Sequence, residues 1–194
     1  MKRLLPKPLT IYFTADTHLG HANIIKYCRR PFSSTREMDE IIYCNWAAVV
    51  RPQDSVYHLG DVAWGDEAAI AKTAQRIKYL PGKKYLVPGN HDYHLDILSD
   101  AFDEVLPALY EIGAQARSGH HRAVLCHYPL AAWNRSHHAS LHVHGHMHGR
   151  IPMDTQRADA GVDVWNYYPV SLDELLRAMK HAPPHKELHD TRKT

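Results

Sequence analysis

Short runs of apolar, β-branched and aromatic residues alternate along the chain with longer stretches of helical periodicity. The short runs fall at 9–14 (LTIYFT), 55–59 (SVYHL), 84–87 (KYLV), 122–126 (RAVLC) and 141–144 (LHVH). Their length and composition predict strands. Residues 35–50 set Met38, Ile41, Ile42, Trp46 and Val49 at helical spacing behind Ser34-x-x-Glu37, which predicts a helix opened by a capping box. A second helix is expected over 67–80, with Ile70, Ala74 and Ile77 on one face and Pro81-Gly82 as its stop. Ser171-x-x-Glu174 opens a third, carrying Leu172, Leu175, Leu176 and Met179. Strands separated by helices predict a layered α/β domain. With no internal repeat, long linker or low-complexity block, residues 1–180 read as one domain and 181–194, polar with two prolines, as a flexible tail.

Composition narrows the class. Hydrophobic residues make up 44% and charged residues 23% of 194, as in ordinary globular proteins. No run approaches the ~18 apolar residues of a membrane span, and Pro6, Lys7 and Pro8 interrupt any signal-peptide core. A cytoplasmic protein is the expectation. Cys28, Cys44 and Cys126 are an odd set without a close pair, which argues against a disulfide framework and a CxxC zinc site. A net charge of +2 gives no general electrostatic hold on nucleic acid. The abnormal figure is 17 histidines, scattered along the chain. Histidine binds borderline metals and moves protons near neutral pH, so this count points to a metal site.

The residues after each strand locate that site. The first run leads to Asp16-Thr17-His18, the second to Gly60-Asp61, and the third to Gly89-Asn90-His91-Asp92. The fourth leads to His127 and the fifth to Gly145-His146-Met147-His148. Ligands of layered α/β folds collect outside the carboxyl ends of the strands. Asp16 and His18, one residue apart on extended chain, can face one ion. The carboxylate of Asp61 can bridge two ions, and Asn90 adds an oxygen without charge. Together with His127, His146 and His148 these make a mixed nitrogen and oxygen set, large enough for two ions with positions left for water and substrate. Such a set suits Mn, Fe, Zn, Co or Ni, with Mn the first choice. Two ions ~3.5–4 Å apart suit in-line displacement at phosphorus.

The order DxH, GD, GNHD, a lone histidine after a strand, then GHxH resembles the calcineurin-like metallophosphoesterase family. The motifs run from Asp16 to His148. The resemblance implies a four-layer α-β-β-α sandwich of two mixed β-sheets flanked by helices. It implies one ion on Asp16, His18, Asp61 and His148, and another on Asp61, Asn90, His127 and His146. It further implies that a hydroxide bridging the ions hydrolyses a phosphodiester or phosphomonoester, with His91 as the general acid, while Asp92 is structural or orienting. The chain looks like the compact, prokaryotic-type members. Its Gly60-Asp61-Val62-Ala63-Trp64-Gly65 lacks the further Asp and Arg of members acting on protein phosphoserine, which argues against a protein phosphatase.

The expected partner is a small phosphate ester or nucleotide-like substrate. The alternatives are a nuclease or nucleic-acid end-processing phosphatase using the same site, and, from another class, a non-catalytic metal-binding scaffold. Arg30 and Arg135 rank first as phosphate contacts, with Asn134 as a further donor. Trp133 is weighed between packing and stacking on a base. His21, His58, His94, His142 and His144 read as core or supporting histidines, His144 being nearest to the ligands. Oligomeric state stays open.

Overall fold

The computed structural model describes residues 9–186; the prolines and lysines of the first eight residues lie outside it, as does the end of the expected tail. In chain order the strands are β1 (Ile11–Thr14), β2 (Ser55–His58), β3 (Lys83–Leu86), β4 (Glu104–Val105), β5 (Leu109–Ala116), β6 (Gly119–Cys126), β7 (Leu141–His144), β8 (Arg157–Asp159) and β9 (Val170–Ser171). The helices are α1 (Ala22–Tyr27), α2 (Thr35–Val49), α3 (Glu67–Lys78), α4 (Leu95–Leu98) and α5 (Leu172–Met179). One sheet has the order β4-β3-β2-β1-β9 and the other β5-β6-β7-β8. Both are mixed: β1 to β4 run parallel with β9 antiparallel, and β6 to β8 run parallel with β5 antiparallel.

The strands are amphipathic in the sense the fold requires. Phe13 and Leu59 of the first sheet face Leu125, Leu141 and Val143 of the second, and Leu172, Leu175 and Met179 of α5 close the same core. On the outer side of the first sheet, Met38 and Ile42 of α2 pack with Ile70, Ala74 and Ile77 of α3 and with Leu86. The expected sandwich of two mixed sheets flanked by helices is thus what the chain builds. The outer cover of the second sheet is thin, a single 3-10 turn at Ser136–His138 joined to the buried Trp133. That indole packs on His142, 5.2 Å between centroids, and its Nε1 donates to the Ser140 carbonyl, which makes Trp133 a packing residue.

Ser171 forms a complete capping box with Glu174. Ser34 accepts from the Glu37 amide, but the Glu37 carboxylate turns instead to the amide and hydroxyl of Ser33, so that box is half made. The strands β4, β5, β8 and β9 lie outside the five expected runs. Strand β5 is half-exposed and contains a glycine, and β8 is three residues long. At the C-terminus, Pro183 accepts from the Thr155 amide, and His185 bonds the Thr155 hydroxyl and the Asp154 carboxylate. The first residues of the expected tail are therefore docked.

Candidate metal centre

The register aligns Thr14, His58 and Leu86 across β1, β2 and β3, so three of the motif loops leave the first sheet at one edge. Those after β6 and β7 arrive from the second sheet. Among the described residues, ten that are not glycine have positive φ, and five of these are Asp16, His18, Asp61, His146 and His148. Left-handed backbone costs a non-glycine residue of order 1–3 kcal/mol and collects at functional sites. Here it turns the side chains back over the strand ends. Gly145 is required for close approach instead: a Cβ there would stand 2.6 Å from the Ala15 Cβ and 2.8 Å from Asp16 Oδ2.

Two clusters result. Ligand atoms of Asp16, His18 and His148 lie within 4.8 Å of one another, as do those of Asp61, His127 and His146. Asp61 stands between them, its Oδ2 3.5 Å from both His18 Nε2 and His127 Nε2. Asn90 Oδ1 adds an oxygen 3.0 Å from His127 Nε2. All seven side chains anticipated as ligands therefore converge on one centre.

The centre fits cations. His18 is 2% exposed, yet neither of its ring nitrogens has a hydrogen-bond partner. Burial holds its pKa down to about 2, so the ring is neutral with a lone pair to offer. Burial also raises the pKa of Asp16 well above the usual carboxylate range. An unpaired buried imidazole beside buried carboxylates is costly unless a cation joins them. Hydrogen bonds aim the other rings. His127 Nδ1 meets the Leu59 carbonyl at 2.7 Å, leaving Nε2 for the centre. His148 Nδ1 meets Asp163 Oδ2 at 2.7 Å. Burial lowers the His148 pKa, but Asp163, Cys28 and Asp16 outweigh it and raise the value to about 10. Cys28 also brings its thiol near His148 and Asp163, a neighbour that cysteine spacing did not reveal.

Asp92 is structural. Its carboxylate accepts from the amides of Asp61, Val62 and Gly89, tying the second motif loop to the third. His91 is held by its own amide, which donates to Asp61 Oδ1, and by edge contacts of its ring with Trp64 and Tyr93. Its Nδ1 is buried without a hydrogen-bond partner. The ring lines a cavity of about 540 Å³ together with His18, His146, His148, Trp64 and Arg150.

The side chains expected to contact phosphate, Arg30, Asn134 and Arg135, are absent from the wall of this cavity. Arg30 is buried, and its guanidinium donates twice to Asp163 and once each to the carbonyls of Asp16 and Thr17. It braces the metal loop from behind and does not face substrate. Asn134 donates to Glu111, and Arg135 lines a separate surface hollow with His120, His121 and His138. Since His120 begins β6 and His127 follows its end, Arg135 sits at the wrong end of the strand. Of the histidines read as supporting, His21 belongs instead to the cavity wall, 5.5 Å between centroids from His18. Asp163 was missed altogether; the signal for it was an acidic residue after a glycine beyond a short strand, too common to single out.

A calcineurin-like phosphoesterase family profile matches residues 9–193. The chain belongs to this family. As a member it is a metal-dependent phosphoesterase, and divalent metal ions are its implied cofactors. The chain is similar to the uncharacterized protein MJ1445 of Methanocaldococcus jannaschii, 32% identical over 187 residues that cover 93% of this chain and 97% of that one. It is similar also to the gene 66 protein of Mycobacterium phage L5, 25% identical with 92% and 98% covered. Among solved structures, protein AQ665 from Aquifex aeolicus, of unknown function, superposes with a TM-score of 0.66 at 28% identity, covering 84% of this chain and 96% of that one. Among the described residues of this phosphoesterase, no helix is long and apolar enough to cross a membrane.

Proposed function

We propose that this phosphoesterase hydrolyses small phosphodiesters or phosphomonoesters at a two-ion centre. One ion would be held by Asp16, His18, Asp61 and His148, the other by Asp61, Asn90, His127 and His146. The position of Asp61 carries this reading, because its Oδ2 stands 3.5 Å from a histidine of each cluster, as a bridging carboxylate requires. Ions bound there supply a water acidified to near-neutral pKa and positive charge for the phosphoryl oxygens. Mn is the first choice, since the set mixes carboxylate, amide and imidazole donors.

The chain's own groups do the rest. His91, on the cavity wall beside His18, donates a ring proton to the departing oxygen as the ester bond breaks. Trp64 and Tyr93 hold its ring in place of a carboxylate partner. Arg150, on the same wall, offers a guanidinium to the phosphate.

The test is hydrolysis of bis-p-nitrophenyl phosphate against p-nitrophenyl phosphate by metal-stripped protein refilled with Mn, Ni, Zn or Mg. Metal uptake is measured beside it by calorimetry. Two ions bound per chain with metal-dependent turnover is the expected result. Two ions without turnover on either ester would favour the scaffold, and a single ion would remove the two-ion mechanism.

A further inference from the structure

Six large aromatic side chains stand exposed among the described residues: Tyr27, Trp64, Tyr79, Tyr93, Tyr128 and Tyr168. Four of them are in ring contact with histidines of the metal centre or its cavity. Tyr27 meets His21, Trp64 meets His21 and His91, Tyr93 meets His91, and Tyr128 meets His127 and His146. Tyr27 and Trp64 line the cavity itself, and exposed aromatic rings beside a polar cavity mark a place for a ligand with a flat apolar face.

Trp64 is the centre of this group. The indole is 40% exposed, although a ring of its size gains most from burial. One face is stacked on His21, with centroids 4.5 Å apart and planes within 13°. The exposed area therefore lies on the rest of the ring. Tyr93 stands edge-on to the indole and Tyr27 edge-on to His21, each at 6.4 Å, which holds the pair upright. The indole is one ring away from the metal cluster: His91 lies 5.3 Å from Trp64 and 5.6 Å from His18, centroid to centroid.

Resting on the phosphoesterase reading above, we propose that Trp64, backed by His21, is a stacking subsite for the base of a nucleoside phosphate ester whose phosphorus lies at the metal centre. A stack of this kind tolerates any base, because every base has a π-face. The cavity of about 540 Å³ is of the size that holds one small ligand. A net charge of +2 supplies no track for a long polyanion, which favours a nucleotide-sized ester over a nucleic-acid strand.

The p-nitrophenyl phosphodiesters of methanol and of thymidine have the same leaving group and differ only in the alcohol retained. The wild-type protein is expected to show a kcat/KM about tenfold or more higher for the thymidine ester, within the range of one base–aromatic stack. Trp64→Phe keeps the preference and Trp64→Leu loses it. Trp64 also touches His91, so an equal fall on both esters reports on His91, and the ratio is the readout for stacking. Calorimetry with thymidine monophosphate against methyl phosphate should give the same preference in affinity, again lost in Trp64→Leu.

Equal kcat/KM for the two esters, or a preference that survives Trp64→Leu, overturns the subsite and leaves the phosphoesterase reading intact. If neither ester is hydrolysed with any metal, the phosphoesterase reading fails, and the calorimetric preference alone decides the subsite. Inhibition by decathymidylate at lower concentration than by the mononucleotide would overturn the nucleotide-sized assignment.

Discussion

Asp163 Oδ2 lies 2.7 Å from His148 Nδ1, and the same carboxylate receives Arg30 through two bonds of 2.8 Å. Arg30 in turn donates to the carbonyls of Asp16 and Thr17. One ion pair thus ties the loop that carries Asp16 and His18 to the loop that carries His148. With Nδ1 engaged, Nε2 is the atom that His148 offers to the centre. A carboxylate behind a histidine ligand fixes its tautomer and its direction.

Asp163→Ala is therefore expected to weaken metal binding at the His148 side of the centre by about 10–100-fold. The Asp61, His127 and His146 cluster should keep its ion. Asp163→Asn retains an acceptor oxygen and should fall between. Calorimetry resolving two binding events checks this; equal loss at both would show a general collapse instead.

Arg30 and Arg135 should separate cleanly. Arg30→Leu removes the guanidinium from Asp163 and from the carbonyls of Asp16 and Thr17, leaving His148 as that carboxylate's remaining partner, a change that costs about 1–3 kcal/mol. Arg135→Leu, at an exposed hollow remote from the centre, should stay within about 0.5 kcal/mol of wild type. Urea denaturation of the two variants side by side gives the comparison.

His91→Ala is expected to bind its metals as before and to lose about 10²–10⁴-fold in turnover on esters with poor leaving groups. On p-nitrophenyl esters, whose leaving group needs little protonation, the loss should be much smaller. An unchanged rate on a methyl or alkyl ester would remove His91 from the proton-transfer role.

Acid should weaken the fold through His142. Its Nδ1 meets the Val124 carbonyl, and its Nε2 lies 3.2 Å from the Tyr128 carbonyl and accepts the Leu130 amide, a bond open only to the neutral ring. Burial lowers its pKa to about 4. The unfolded chain takes up this proton near pH 6.5 and the folded one only near 4, so stability is full above about 6.5 and declines as pH falls toward 4. Thermal melts across that range should show the decline, and it should be shallower in His142→Asn.

Motifs and periodicity make the side chains of the candidate metal centre and the main layers legible in the chain itself. Asp16, His18, Asp61, Asn90, His91, His127, His146 and His148 each follow a strand within a few residues, so the local pattern carries them. Helices α2 and α5 are marked by caps and apolar faces, and α3 by its apolar face and the Pro81-Gly82 stop. Strand β5 alternates Tyr110, Ile112, Ala114 and Ala116 with Glu111, Gly113 and Gln115, but a glycine and two alanines make that signal weak, and β4, β8 and β9, of two or three residues, are too short to show a period.

The chemistry at the strand ends is legible along the chain: which carboxylates, amides and imidazoles are offered, and in what order. Which groups stand behind them depends on the packing of distant segments. Arg30 and Asp163 are 133 residues apart, and nothing local distinguishes this arginine from Arg29 or Arg135. Trp133 reads from the sequence as packing or as platform until the fold buries it, and the exposure of Trp64 beside the centre belongs to the fold alone. Ligand type is a property of a residue and its close neighbours, whereas burial and pairing follow from the meeting of two sheets that no short stretch of chain encodes.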